Sequence, residues 1–242
     1  DVADAKAELV AALPLDGAAV LNADDPLVAA MAKRTRAQVI TYGDAGELRA
    51  ENVCLERDLT TRFVLSGPWG RVDVHLGVRG VHNVPNALAA AAAGLVAGVP
   101  LDAVASGLHS ARLSPWRMEL IDAPSGAAVL NDAYNANPIS MRAALYALAA
   151  IPAQRHIAVL GVMAELGDST DDAHHGVGEL ARKLGVRVIA VGVSTYGGEV
   201  VADVSGALAA LDSIGEGDAV LVKGSRVAGL EHLAARLVGC VP

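Results

Sequence analysis

The chain has 242 residues, a length suited to two domains, and its 27 acidic against 19 basic residues give a formal net charge of -8. It contains no run of lysine and arginine, so nucleic acid and an anionic membrane surface are both poor partners. Apolar residues make up 53% of the chain and aromatic ones only 3%, which is typical of Ala-, Val- and Leu-rich helices packed on a parallel sheet. The predicted fold class is therefore α/β.

The cysteines bear on the redox compartment of the protein, and the most apolar segment bears on whether the chain spans a membrane. Cys54 and Cys240 are far apart and form no CxxC motif, which favours a reducing environment, and we expect a cytoplasmic protein. The most apolar window, residues 87–101, is shorter than the roughly 20 residues that span a bilayer, and it predicts a buried helix. The chain starts within a helical pattern, without an initiator Met or a leader, so we interpret it as part of a longer protein.

The first half of the chain alternates between helical and strand patterns. Residues 1–13 predict a helix, and the strands, acidic turn and helix of residues 18–43 predict a βαβ unit. Residues 61–76 predict an antiparallel hairpin with a Gly-Pro turn. Helices at about 82–97 and 101–109 complete this half. The segment RLSPWR, residues 112–117, is the predicted domain boundary because Ser-Pro interrupts a helix.

The second half predicts a doubly wound parallel sheet, because strand, turn and helix follow one another repeatedly. Ligands of such sheets bind beyond the carboxyl ends of the strands. The predicted strands are residues 118–121, 127–132, 156–161, 187–192 and 218–224. The predicted helices are residues 139–150, 171–184, 205–212 and 226–238.

The polar stretch NDAYNANP, residues 131–138, lies at such a strand end. Pro138 suits the first turn of a helix and Asn137 suits its N-cap, so capping explains Asn137 without a ligand. Capping does not explain Asp132, Tyr134 and Asn135 together. A carboxylate beside a helix N-terminus is suited to bind a ribose hydroxyl while the helix faces a phosphate, and the turn alone leaves cap and ligand site equally open.

For other polar residues, the sequence likewise leaves open a structural role and a role in ligand binding. Asn83 and Asn86 are three apart at a helix start, where capping is the more common role and contact with an adenine edge is the alternative. Arg117 is either in a surface ion pair or binds phosphate oxygens with its planar guanidinium. The loop of residues 161–174 and the segment KGSR, residues 223–226, follow two further strands and are expected at the same sheet edge. Neither GxxxxGK[ST] nor a strand followed by GxGxxG occurs, and no Cys/His metal spacing is present.

Six segments, in this order, resemble the Mur ligase family: VLNADDP, HNVPNALAA, PWRMELI, NDAYNANPISM, AVLGVMAELG and VKGSR. The resemblance covers essentially the whole chain, and DAYNANP and KGSR are its most specific parts. It implies that residues 1–113 are the later half of a central ATPase α/β domain. Residues 114–242 would then form a Rossmann-like, doubly wound C-terminal domain that binds the acceptor substrate. The sugar-nucleotide domain, the P-loop and the Mg²⁺ ligands would belong to the missing N-terminal half of the same protein.

The resemblance also implies a reaction. Within the family, these motifs are similar to those of the ATP-dependent ligases that join D-alanyl-D-alanine to UDP-N-acetylmuramoyl-tripeptide through an acyl phosphate, a step of peptidoglycan precursor synthesis. This chain alone is then expected to be inactive. Arg117 would be the catalytic residue, reaching the ATP phosphates. ATP-binding residues would be Asn83, Asn86, Arg117, Asp132, Tyr134, Asn135 and Asn137, and substrate-binding residues would be Glu165, Lys223, Ser225 and Arg226.

Two departures and three alternatives accompany this interpretation. Val162 replaces an acid that relatives commonly carry, and residues 193–217 form a short segment for the family. The alternatives are another Mur or folylpolyglutamate-type ligase, a nucleotide-binding module without chemistry, and a Rossmann oxidoreductase. The last of these predicts a glycine-rich first βα turn, which neither residues 131–138 nor residues 161–167 supply.

Overall fold

The computed structural model describes residues 2–239, apart from the side chain of Asp168, so Cys240 lies outside the described residues, whereas Cys54 is exposed and free. The chain forms two compact units. Unit 1 comprises Asp1–Glu56 and Thr60–Arg112, and unit 2 comprises Arg57–Leu59 and Leu113–Pro242. The change of unit after Arg112 lies in the predicted boundary segment, whereas the grouping of residues 57–59 with unit 2 was not expected.

Unit 1 combines a parallel strand pair with an antiparallel sheet. The predicted βαβ unit is present, because β1 and β2 pair in parallel. The predicted hairpin is the β4–β5 pair, and β3 adds a third antiparallel strand that the sequence did not reveal. Asn52, at φ 55°, lies in a register shift of β3 that interrupts the two-residue period of the strand. The elements are α1 Val2–Ala11, β1 Ala18–Asn22, α2 Pro26–Ala30, β2 Gln38–Tyr42, β3 Arg49–Leu55, β4 Thr60–Gly67, β5 Gly70–Arg79, α3 Val84–Val96 and α4 Leu101–Ser110.

The alanine-rich window predicted to be a buried helix is α3. Ala91 and Ala92 have no exposed surface, and the helix packs with Phe63 and Leu65 of the antiparallel sheet in one core. Small side chains let the helix backbone approach the strands closely. None of the described helices is long and apolar enough to cross a membrane.

Unit 2 contains the predicted sheet with two differences. Its strand order is β10-β9-β8-β11-β7-β6, and all neighbours are parallel except β6 and β7. The connection from β6 to β7 is too short for a crossover, so these two strands must run antiparallel. The sequence also missed β10, whose three residues are too few to show a period. The strands are β6 Glu119–Asp122, β7 Ala128–Asn131, β8 Arg155–Leu160, β9 Arg187–Val191, β10 Glu199–Val201 and β11 Asp218–Lys223.

Helices cover both faces of the unit 2 sheet. The helices of one face are α5 Pro138–Ala150 and α6 Thr170–Lys183, and those of the other face are α7 Val204–Ala210 and α8 Glu231–Leu237. Alternate residues of β8 point to the two cores: Ala158 and Leu160 to the first, Ile157 and Val159 to the second. The chain leaves β7 and β8 towards one face, but leaves β11, which lies between them, towards the other. Such a reversal opens a ligand crevice at the carboxyl ends of the strands.

The last helix is shorter than predicted. Residues 226–238 were expected to be one helix, but Arg226–Ala228 form a 3₁₀ turn and α8 begins only at Glu231. Gly229 separates the two with a left-handed backbone, at φ 64°. Arg226 therefore lies on the loop that leaves β11 and not on a regular helix.

Candidate functional site

The turn between β7 and α5 is fixed by a capping box. The side chain of Asn137 accepts a hydrogen bond from the backbone N–H of Ser140 at 2.8 Å, and the Ser140 hydroxyl oxygen accepts from the N–H of Asn137 at 3.0 Å. Pro138 occupies the first turn of the helix. The predicted cap role of Asn137 is confirmed, and the cap sets the direction in which the preceding residues 132–136 leave the sheet.

Lys223 and Asp132 form a buried ion pair below this turn. The side chain of Lys223 is 2% exposed, and its ammonium donates to Oδ2 of Asp132 at 2.5 Å and to the carbonyl of Asn135 at 2.8 Å. Oδ1 of Asp132 accepts from the N–H of Met118 at 3.1 Å. Burial lowers the pKa of Lys223, the Asp132 carboxylate opposes that effect, and the nearby Arg117 charge adds to it. Two residues expected to bind different ligands therefore contact each other.

Ser225 joins the loops that leave three neighbouring strands. Its hydroxyl oxygen accepts from the N–H of Ala164 at 2.9 Å and lies 3.4 Å from the carbonyl oxygen of Ala136, to which it donates. Its own N–H donates to the carbonyl of Val162 at 2.9 Å. Ser225 is 5% exposed, so its hydroxyl is turned into the protein. These bonds hold the loops after β7, β8 and β11 in one arrangement.

His174, on α6, holds the loop after β8 through a buried hydrogen bond. The N–H of Met163 donates to its Nε2 at 2.9 Å, so Nε2 is unprotonated and Nδ1 carries the proton. Nδ1 is buried and has no hydrogen-bond partner among the described residues. The ring packs edge-on against Tyr196, whose hydroxyl donates to the carbonyl of Gly161 at 2.7 Å. Desolvation by burial lowers the pKa of His174, while Asp171 partly opposes it.

Two arginines stack on two aromatic rings at this edge. The guanidinium carbon of Arg117 lies 4.0 Å from the centroid of the Tyr134 ring, and that of Arg226 lies 4.6 Å from Trp116 and 6.0 Å from Tyr134. Arg117 also donates from Nε to the Ser114 hydroxyl at 2.9 Å. Among the described side chains, which do not include that of Asp168, no carboxylate forms an ion pair with either guanidinium. Stacking fixes the plane of a guanidinium while its N–H edge stays available.

The backbone around Arg117 is strained. Trp116 and Met118, on either side of it, have φ values of 63° and 51°, and Glu165 after β8 has a φ of 65°. Side chains with a Cβ rarely adopt this left-handed conformation, which costs of order 1 kcal/mol or more per residue and is concentrated at functional sites. The strained segment is held by the N–H of Tyr134, which donates to the carbonyl of Trp116 at 3.1 Å. The strain and this bond together direct Arg117 towards Tyr134.

In unit 1, a buried asparagine orients an exposed one. Asn83 is 6% exposed and donates from its side-chain amide to the carbonyl of Arg79 at 2.7 Å. Its side-chain oxygen accepts from the amide of Asn86 at 3.0 Å. The capping role that was expected is wrong for Asn83, because its side chain makes no cap bond to α3. The Oδ1 acceptor and the second amide N–H donor of Asn86 remain available, and an adenine edge needs one of each.

The structure thus brings the predicted residues of unit 2 to one edge. Those with exposed or half-buried side chains are Arg117, Tyr134, Asn135, Asn137, Glu165 and Arg226. Asp132, Lys223 and Ser225 are buried beneath them. Trp116, His174 and Tyr196 were missed, because their roles depend on partners distant in sequence. Within the described residues no group of three or more His, Cys, Asp or Glu residues is placed to hold a metal ion.

Comparison with known proteins identifies relatives. The profile of the Mur ligase middle domain matches residues 1–94, and that of the Mur ligase glutamate ligase domain matches residues 116–226. A curated UDP-N-acetylmuramoyl-tripeptide–D-alanyl-D-alanine ligase of Mycobacterium bovis is 42% identical over an alignment of 274 positions, which covers 98% of this chain and 54% of the relative.

Solved structures agree with these matches. A crystal structure of MurF from Acinetobacter baumannii has a TM-score of 0.89 and 31% identity, and the match covers 98% of this chain and 55% of that one. MurF from Thermotoga maritima, solved in complex with ADP, has a TM-score of 0.84 at 21% identity, with 98% and 56% covered, and shows the shared fold. The chain spans about half the length of these relatives. With one Mur ligase profile matching in each half, the chain belongs to the Mur ligase family.

Proposed function

We propose that the chain is part of a cytoplasmic, ATP-dependent amide ligase that adds D-alanyl-D-alanine to UDP-N-acetylmuramoyl-tripeptide in peptidoglycan precursor synthesis. The activity for which the relatives are named supports the reaction, and the site supports the chemistry. The observation that carries the proposal is the pair of stacked guanidiniums at the strand ends, which no carboxylate of the described residues neutralises. An unneutralised, oriented pair of cations is suited to a phosphate-bearing substrate.

The proposed ATP-binding residues are found in both units. In unit 1, Asn86, oriented by Asn83, presents the donor and acceptor for adenine. In unit 2, the proposed set is Arg117 with the turn residues Asp132, Tyr134, Asn135 and Asn137. The Asp132 carboxylate is bonded to Lys223 and Met118, but each oxygen has a second lone pair, and 12% of the side chain is exposed. A ribose hydroxyl is therefore compatible with the ion pair.

For the acceptor, residues 114–242 form the proposed binding domain, just as residues 1–113 form part of the ATP-binding domain. Glu165 and Arg226 are both exposed at the edge, which supports direct contact of each with a ligand. Lys223 and Ser225 lie in the layer beneath and act through the loops that they hold. Mg²⁺ remains an expectation of the family, and no ligand for it is assigned to this chain.

In the proposed reaction, the tripeptide carboxylate takes the γ-phosphoryl group of ATP and ADP leaves. The amine of D-alanyl-D-alanine then attacks the acyl carbon, and inorganic phosphate leaves as the amide forms. Arg117 is the proposed catalytic residue, because a guanidinium with a fixed plane stabilises the charge on the transferring phosphoryl group without reorganising. Tyr134 fixes that plane.

The test is release of phosphate by the whole protein that contains this chain. With ATP and UDP-N-acetylmuramoyl-tripeptide present, D-alanyl-D-alanine should stimulate release, whereas glutamate and diaminopimelate should not. Stimulation by glutamate or diaminopimelate instead would assign the protein to another Mur or folylpolyglutamate-type ligase. ATP binding without release under any of these conditions would indicate a nucleotide-binding module.

A further inference from the structure

The four side chains Trp116, Arg117, Tyr134 and Arg226 form a cationic platform at the carboxyl edge of the unit 2 sheet. Both guanidinium carbons lie within 6.0 Å of the Tyr134 ring centroid, so both arginines contact the same aromatic ring. In the sequence the two arginines lie in different motifs, Arg117 in PWRMELI and Arg226 in KGSR. These motifs were expected to bind different substrates. Their positions in the structure do not support that division.

The local charge also favours one shared ligand. Lys223 is neutralised by Asp132, which leaves the two guanidiniums without a carboxylate among the described residues. A single carboxylate is fully bound by the fork of one guanidinium. Two guanidiniums on one ring that lack a carboxylate partner match an anion that carries more than one charge, such as a chain of phosphate groups.

The position of Arg226 is set by buried contacts of the same loop. Lys223 and Ser225, immediately before it, are held by Asp132, Asn135, Ala136 and Ala164 through hydrogen bonds. Arg226 itself is exposed, and its side chain stacks on Trp116. The exposed guanidinium of Arg226 therefore has a fixed backbone and a fixed orientation, so it loses little conformational freedom when it binds an anion.

We propose that Arg226 and Arg117 bind the same polyphosphate group, so that the KGSR segment contributes to phosphate binding at the proposed ATP site. This inference rests on the proposed phosphate role of Arg117, and it transfers Arg226 from the proposed acceptor-binding residues to the phosphate-binding ones. Trp116 and Tyr134 are positioning residues that hold the two guanidiniums in place.

The chain offers its own probe, because it contains only two tryptophans, Trp69 and Trp116. In a Trp69→Phe background, the emission of Trp116 reports on the guanidinium stacked upon it. Titration with inorganic tripolyphosphate in the millimolar range, at constant ionic strength, should give a saturable change in emission. Arg117→Gln and Arg226→Gln should each weaken tripolyphosphate binding about tenfold or more, as expected for loss of one charge-assisted contact.

Two controls make the result specific. Arg236→Gln removes an exposed guanidinium from α8 of the same unit and should leave binding unchanged. Because substitution of Arg226 alters the probe itself, the Arg226→Gln and Arg226→Lys variants are also followed through the ³¹P NMR signal of the ligand. Arg226→Lys keeps the charge but not the planar fork, and should retain part of the affinity.

Three outcomes would overturn the proposal. The first is no saturable response of the Trp69→Phe chain to tripolyphosphate. The second is a loss of binding with Arg117→Gln but not with Arg226→Gln. The third is an Arg226-dependent response to D-alanyl-D-alanine without one to tripolyphosphate, which would assign Arg226 to the acceptor. The proposed ligase reaction is tested separately by phosphate release from the whole protein, so either proposal can fail alone.

Discussion

Lys223 and Asp132 show how one pair of residues organises the site. Each would be a buried or nearly buried charge without the other, and together they join the end of β11 to the turn after β7. A buried ion pair is seldom a net source of stability, because desolvation offsets the attraction. Its effect is to select one arrangement of the turn, and the stacked Arg117 and Tyr134 depend on that arrangement.

Lys223→Met should lower the free energy of unfolding by about 3–5 kcal/mol, the usual cost of leaving one buried charge without its partner. The second change Asp132→Asn should restore part of the loss, because it removes the unpaired charge. Urea unfolding of the single and double variants measures both effects. If the double variant loses as much free energy of unfolding as the two single variants lose together, the two side chains are not coupled.

His174 should make the loop after β8 sensitive to acid. Burial lowers its pKa in the folded state, so the unfolded chain binds the proton more readily. The stability that neutral His174 contributes is present above its unfolded pKa of about 6.5 and is lost as the pH falls below that value. Protonation also turns Nε2 into a donor that faces the N–H of Met163. The expected slope is at most about 1.4 kcal/mol per pH unit.

The measurement for His174 is the unfolding free energy between pH 7 and pH 5, compared with His174→Gln. The variant should lose less stability over this range, because it removes the titrating group. His175→Gln is the matched control for loss of an imidazole, since His175 is the exposed neighbour on the same helix, and its profile should differ from that of His174→Gln. Identical profiles for the protein and His174→Gln would exclude His174 as the origin.

Local residue roles were predictable from the sequence, and long-range ones were not. Asn137 could be identified as a cap because the Asn-Pro pair and the helix that it starts are adjacent. The partner of Lys223 is 91 residues away, so no local pattern indicated that its ammonium is buried. The left-handed backbone at Trp116 and Met118 also depends on contacts with residues after β7, which the segment PWRM does not reveal.

At the level of elements, α6 shows how one glycine determines a packing distance. A Cβ at Gly178 would lie 1.7 Å from the carbonyl oxygen of Tyr196, so the helix approaches the loop after β9 at backbone distance. Gly176, on the same helix, has no neighbour within 4 Å of the corresponding position. The same substitution should therefore have opposite effects at these two positions.

Gly178→Ala should destabilise unit 2 by about 1–3 kcal/mol or more, because the helix must move away from the loop that carries Tyr196. Gly176→Ala should be neutral or stabilise by up to about 1 kcal/mol, since alanine is the better helix former. Thermal unfolding of the two variants provides the comparison. A similar shift in Tm for both would contradict the close approach of α6 to this loop.

The periodic spacing of apolar residues in the sequence predicted those helices and strands that are long and regular. The helices α3 and α5 and the strands β7, β8, β9 and β11 were predicted within a few residues, because their apolar faces are continuous. The short strand β10 and the bulged strand β3 were missed, since neither keeps its period for long enough. The antiparallel direction of β6 could have been inferred from its short connection to β7.

For the whole molecule, two units with separate cores each carry part of the proposed ATP-binding set. Unit 1 provides the oriented amide of Asn86, and unit 2 provides the cationic platform. The sequence contains no GxxxxGK[ST] motif, whose backbone N–H groups bind the phosphates in P-loop proteins. The proposed set of this chain therefore offers side chains for adenine and for phosphate, but no backbone phosphate loop of this kind.

The 242-residue chain alone should bind ATP weakly, with a Kd of about 1 mM or higher. Contacts from the two guanidiniums of unit 2 contribute only a few kcal/mol, and association itself costs at least about 4 kcal/mol in lost freedom. Isothermal titration calorimetry with ATP and with AMP is the measurement. ATP should bind more tightly than AMP, because the platform acts on phosphate charge, and added salt should reduce the difference. Micromolar binding of ATP, or equal binding of ATP and AMP, would contradict this division of roles and favour a self-sufficient nucleotide-binding module.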